Sequence, residues 1–136
     1  MNTSEVMSAL GALRLNLFQH RFFTGKYQQI MSGLSVEFNE TEIYFDGNNT
    51  FKIQLSDEKA KEMRESLGDY VIPSIYDKVN TVVLTVFHQY RWDIKSYCKE
   101  ANIPEAYSDY ILSGDCPYIG VLYQARFINN VILIEF

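Results

Sequence analysis

The turn Asp46-Gly47-Asn48-Asn49 constrains this chain more than any other stretch of it. Gly and Asn reach the positive-φ conformations of a tight hairpin at little steric expense. On either side lie Glu42–Asp46 and Thr50–Leu55, short segments in which apolar and polar residues alternate. A period of two places one set of side chains on one face of a strand and the other set on the opposite face. Val36–Asn39 alternates in the same way, so the three segments predict an antiparallel meander with one wet face. On that reading Val36, Phe38, Ile43, Phe45, Phe51, Ile53 and Leu55 face a core. Glu37, Asn39, Glu42, Tyr44, Lys52 and Gln54 face water.

A second hairpin is expected at the end of the chain, from Tyr118–Phe127 through an Asn129-Asn130 turn to Val131–Phe136. Val131-Ile132-Leu133-Ile134 is apolar on both sides, which predicts a central strand covered by a helix. Helical spacing marks the rest. Val6, Leu10, Leu13 and Leu17 recur at intervals of three and four, with Thr3 or Ser4 as cap. Ser56 caps a helix over Asp57–Leu67 that Gly68 ends. Apolar positions from Ile75 to Tyr97 fit one long amphipathic helix, although the β-branched run Val79–Val86 also suits a strand. Pro104 opens a short helix over Glu105–Leu112. The expectation is a single α+β domain over residues 1–136. It has an antiparallel sheet of about five strands, a three-strand meander plus a C-terminal hairpin, with helices packed on one face.

Composition narrows the function classes. A net charge of −5 disfavours a general binder of nucleic acid or anionic membrane, which needs clustered cations to meet phosphate. No apolar run is long enough to cross a bilayer, and Met1–Ser8 holds Glu5 with no basic residue, unlike a secretory leader. A cytoplasmic location with Cys98 and Cys116 as reduced thiols is therefore expected. The seven glycines form no phosphate loop, and no metal-ligand spacing joins the two His and two Cys, so neither cofactor nor metal is expected.

Three readings of function remain. The first is a small cysteine-dependent enzyme, with Cys116 as the thiol and His20 or His88 as its base. The second rests on Ile94–Gly114. Ser96-Tyr97-Cys98-Lys99-Glu100-Ala101-Asn102-Ile103-Pro104 followed by Glu105–Gly114 resembles the helix-turn-helix of phage-repressor-like proteins. Ala101 matches that motif's small residue, Asn102 its turn glycine and Ile103 its apolar anchor, which implies a DNA-binding regulator. Against it, residues 100–125 contain no Lys or Arg, and Glu100, Glu105, Asp109 and Asp115 would repel phosphate.

The third and leading reading is a non-enzymatic protein-binding domain. Small, acidic, aromatic-rich domains without catalytic motifs fit toxin-immunity proteins and phage-encoded inhibitors of host enzymes. Glu37, Glu42, Tyr44 and Asp46 form an acidic patch suited to a partner protein with a basic surface. Glu105, Tyr107 and Asp109 on the short helix are the alternative contact set, and assembly as a homodimer stays open.

Overall fold

A computed structural model describes residues 2–136 as an α+β fold of seven α-helices and four antiparallel strands. In chain order the helices are α1 (Thr3–Gln19), α2 (Phe22–Gly25) and α3 (Tyr27–Phe38), then α4 (Asp57–Leu67) and α5 (Val71–Gln89), then α6 (Arg91–Glu100) and α7 (Glu105–Leu112). The strands are β1 (Ile43–Phe45), β2 (Thr50–Gln54), β3 (Gln124–Ile128) and β4 (Val131–Glu135). Their order in the sheet is β1-β2-β4-β3. Two hairpins thus lie side by side, joined where β2 pairs antiparallel with β4.

The sheet has four strands rather than about five, because Val36–Phe38 belongs to α3 and Asn39 is its C-cap. Ile30 and Leu34 on α3 are buried, and Met31 and Phe38 pack against the core, a spacing of one, three and four residues that a helix satisfies. Val36 is 79% exposed, where a strand would have buried it beside Phe38. Four alternating residues also fit the end of an amphipathic helix, and here the longer period prevails. The helix stops at Asn39, whose φ of 49° takes the left-handed conformation.

The other expected elements form with shifted limits. Asn2, rather than Thr3 or Ser4, caps α1, its side chain accepting the Ser4 N–H at 2.8 Å. Ser56 caps α4 by accepting the Lys59 N–H at 3.1 Å, and Gly68 closes it at φ 54°. The Val79–Val86 run is helical. The single long helix, however, bends at Tyr90 (φ −112°, ψ 32°), which separates α5 from α6. The stretch before β3 is a short 3-10 turn over Ile119–Leu122 rather than strand.

Register decides what is buried. Ile43, Ile53, Ile132 and Phe127 form one row across the sheet, and Phe45, Phe51, Ile134 and Ala125 the next. Both rows face the helices. Beneath them runs a chain of rings: Tyr27 stacks on Phe45 at 5.1 Å, Phe45 meets Phe51 at 4.7 Å, and Phe51 meets Phe136 at 5.8 Å. Phe136 stacks on Phe23 at 4.3 Å, which carries the contact into α2. On the far side α3 lies so close to α5 that a Cβ on Gly33 would sit 2.7 Å from Val82 Cγ1.

Two stability predictions follow from this packing. Ile132→Ala, in the buried row, should cost about 2–5 kcal/mol in denaturant unfolding. Leu133→Ala, on the opposite face and half-buried, should cost clearly less, and exposed Tyr44→Ala about 0.5 kcal/mol or less. Gly33→Ala should destabilise by about 1–3 kcal/mol through the forced clash. Combined with Val82→Ala, its loss should be smaller than the sum of the two single losses, a coupling a double-mutant cycle measures.

Candidate functional site

The second face of the sheet is where the chain leaves its own surface unused. The row Tyr44, Lys52, Leu133 and Arg126 crosses all four strands on this side. Thr50, Glu135 and Gln124 flank it on one side, and Gln54, Val131 and Ile128 on the other. Among the described residues no helix covers these positions. Tyr44 is 57% and Ile128 46% exposed, Lys52, Gln124 and Arg126 are exposed, and Val131 and Leu133 are only half-buried. The expected cover over both faces of β4 is therefore absent on this side. The strand is central, as its composition predicts, but only Ile132 and Ile134 are sealed.

Of the four acidic-patch residues, the structure brings three together. Glu42 pairs in register ahead of β1, where the Gln54 N–H donates to its carbonyl at 2.9 Å. Tyr44 follows two residues later on the outer side of β1, and Asp46 opens the turn two beyond that; all three are exposed along the edge strand. Asp46 has a second duty. Its Oδ1 accepts the Asn48 N–H at 2.9 Å and shapes the turn. Glu37 stands apart: it lies on α3, half-buried, and its carbonyl accepts from Lys78 Nζ at 3.2 Å. The positive groups of the face are Lys52, opposite Tyr44, and Arg126, which is paired with Glu135. The centre of the face is thus mixed, with Val131 and Leu133 of β4 beside Thr50, Lys52 and Gln54 of β2, while the β1 margin is acidic and Arg126 at the β3 margin is paired.

The alternative set on α7 is engaged within the chain. The Tyr107 hydroxyl donates to Glu5 Oε2 on α1, a bond to the protonated phenol that raises the Tyr107 pKa. Asp109 Oδ1 pairs with Lys95 Nζ of α6 at 2.8 Å, which in turn raises the Lys95 pKa. Glu105 is exposed. These contacts pin α7 to α1 and α6.

The α6–α7 connection reproduces the local features of the helix-turn-helix resemblance. Asn102 adopts φ 58° where the motif uses glycine, and Ile103 is buried as its anchor. Beyond α7 the chain turns into β3 rather than a further helix, and the outward residues of α7 include Glu105, Ala106 and Asp109. Two carboxylates would face the phosphates of any bound duplex.

The thiols are buried. Cys98 is 1% and Cys116 5% exposed. His20 is committed elsewhere, its Nε2 lying 2.6 Å from Glu100 Oε2 and its ring stacking on Tyr97 at 4.8 Å. His88 lies exposed in the last turn of α5. Among the described residues neither imidazole hydrogen-bonds to Cys116, and no three His, Cys, Asp or Glu side chains come together as a metal site. No helix among the described residues is long and apolar enough to cross a membrane. No known protein family, no curated protein and no solved structure matches this chain.

The residues missed in the sequence are Leu133, Val131, Ile128 and Arg126. The signal was present in the doubly apolar run, but it reads equally as a strand covered on both faces.

Burial pushes the Cys98 thiol up from 9.0 to about 11. A raised folded pKa contributes stability that is complete below the unfolded value and is lost as pH climbs through the folded one. Unfolding free energy should therefore decline between about pH 9 and 11 in wild type, and less steeply in Cys98→Ala. At pH 8 only about one thiol in a thousand is ionised, so a disulfide reagent should label Cys98 no faster than the protein opens. Rapid labelling of Cys98 in native protein would contradict the burial.

Proposed function

We propose that this chain is a non-enzymatic protein-binding domain whose contact surface is the uncovered face of its sheet. One observation carries the reading: the central strand β4 presents Val131 and Leu133, on the same face as exposed Tyr44 and Ile128, to a side that none of the described elements closes. Apolar groups gathered on an open sheet face gain most when a partner removes them from water. The row Tyr44, Lys52, Leu133 and Arg126 includes a tyrosine and an arginine, the types enriched where interface binding energy concentrates.

The charged margin sets the partner's character. Glu42 and Asp46 border Tyr44, with Lys52 on the neighbouring strand the nearest cation in the row. A partner protein presenting basic side chains along its rim meets this edge with complementary charge, which speeds encounter more than it lengthens the bound state. Blocking such a partner needs only the surface and no chemistry from this chain. An inhibitor or immunity-type role is the simplest form of the reading.

The test is positional. A photo-crosslinking residue is placed at 44 or 128 on the sheet face, and at exposed Lys61 on α4 as a control. Sheet positions should capture a defined protein that the control does not. The purified captured protein should then associate several-fold more slowly with Glu42→Lys/Asp46→Lys at low salt, with the gap closing as salt rises. Tyr44→Ala should instead speed dissociation. Equal capture from both surfaces, or binding indifferent to all three substitutions, would move the site off the sheet.

A further inference from the structure

A separate surface on α6 has the opposite charge. Arg91, Lys95 and Lys99 recur every four residues and line one flank of the helix. Trp92, the only tryptophan of the chain, lies beside them and is 69% exposed. The Arg91 Cζ and Lys95 Nζ stand 5.5 and 5.8 Å from its ring centre, within cation–π reach. The acids of α6, Asp93 and Glu100, fall on the other flank, and Glu100 is held by His20. Asp109 balances Lys95, whereas Arg91 and Lys99 have no carboxylate within 4.0 Å among the described residues. Three of the twelve Lys and Arg residues of an acidic chain thus share one flank with its most exposed large aromatic apart from Tyr70.

We propose that this flank docks an acidic protein segment. Trp92 seats against aliphatic or aromatic side chains of that segment, while Arg91 and Lys99 pair with its carboxylates. Charge complementarity selects the occupant. Arg91 and Lys99 have no carboxylate partner among the described residues in a molecule of net charge −5, and tryptophan and arginine are among the side chains most enriched where binding energy concentrates. A nucleic-acid strand also offers negative charge and rings to stack on. It would, however, run its phosphates past Asp109 at Lys95 and Glu105 on the adjoining helix. The surface is independent of the open sheet face, and either can fail without the other.

Because Trp92 is the sole indole, its fluorescence reports the contact directly. The protein is titrated with a synthetic amphipathic peptide of Glu, Asp, Leu and Phe, with the same peptide carrying Lys in place of its acids, and with a single-stranded thymidylate oligomer. The acidic peptide should shift Trp92 emission to shorter wavelength with an affinity that weakens as salt is added. In Arg91→Glu/Lys99→Glu that affinity should fall at least tenfold with the melting temperature unchanged. With a labelled peptide, Trp92→Ala should weaken binding comparably. No shift with the acidic peptide, an equal response to the lysine peptide, a tighter response to the oligomer, or undiminished binding by the charge-reversed variant would each overturn the assignment.

Discussion

The pairing of β2 with β4 is the interaction on which the rest of the molecule depends. It joins a hairpin that follows α3 to the last hairpin of the chain, setting Phe51 against Ile134 and Ile53 against Ile132. The ladder is extended at both ends, by the Leu55 N–H donating to the Asn130 carbonyl at 2.8 Å and the Phe136 N–H to the Asn49 carbonyl at 2.9 Å. The second of these delivers Phe136 into the ring cluster with Phe23 and Phe51. A slip of one residue would turn every buried side chain outward, so the hydrophobic pattern holds the register. The same register determines what remains outside. With Ile132 and Ile134 inward, Val131 and Leu133 have only the open face to occupy. The candidate site is thus a consequence of how the core closes.

Much of this architecture was legible in the residues. Turn chemistry located both hairpins, because Gly47, Asn49 and Asn129 supply the positive φ that tight connections need. Capping chemistry located α4 through Ser56 and Gly68. The errors share one cause, which is that short-range periodicity cannot tell which partner a segment will find. Val36–Asn39 alternates as a strand does, yet Ile30 and Leu34 upstream commit it to α3, and Gly33 lets that helix press against Val82. Tyr90 fits the helical period on both sides, so the bend there leaves no trace in the apolar pattern. The site was half legible. Glu42, Tyr44 and Asp46 alternate through β1 and the residue on either side of it, whereas the placement of Glu37 and the exposure of Val131 and Leu133 depend on tertiary packing.

The two surfaces differ in charge and are built differently. The sheet face sets the two half-buried aliphatic residues Val131 and Leu133 beside the polar residues of β2, with acids along one margin. The α6 flank is a single exposed indole bordered by cations, on a helix held down by buried Ile94 and Cys98 and by the His20–Glu100 contact. The α7 helix, which offered the competing acidic set, instead locks α6 and α1 together through Asp109 and Tyr107. Asp109 thus contributes to holding α6, while Glu105 stays exposed.

The central claim is that the outer sheet face is bare in the lone chain and covered in its working state. Hydroxyl-radical footprinting compares it in the two conditions, purified and inside the cells that produce it. Tyr44 provides the reading and Tyr70, 73% exposed on the turn after α4, the internal reference. Both should oxidise readily in the purified protein, and in cells Tyr44 should be protected several-fold relative to Tyr70. A Tyr44-to-Tyr70 ratio that is the same in both conditions would contradict the account.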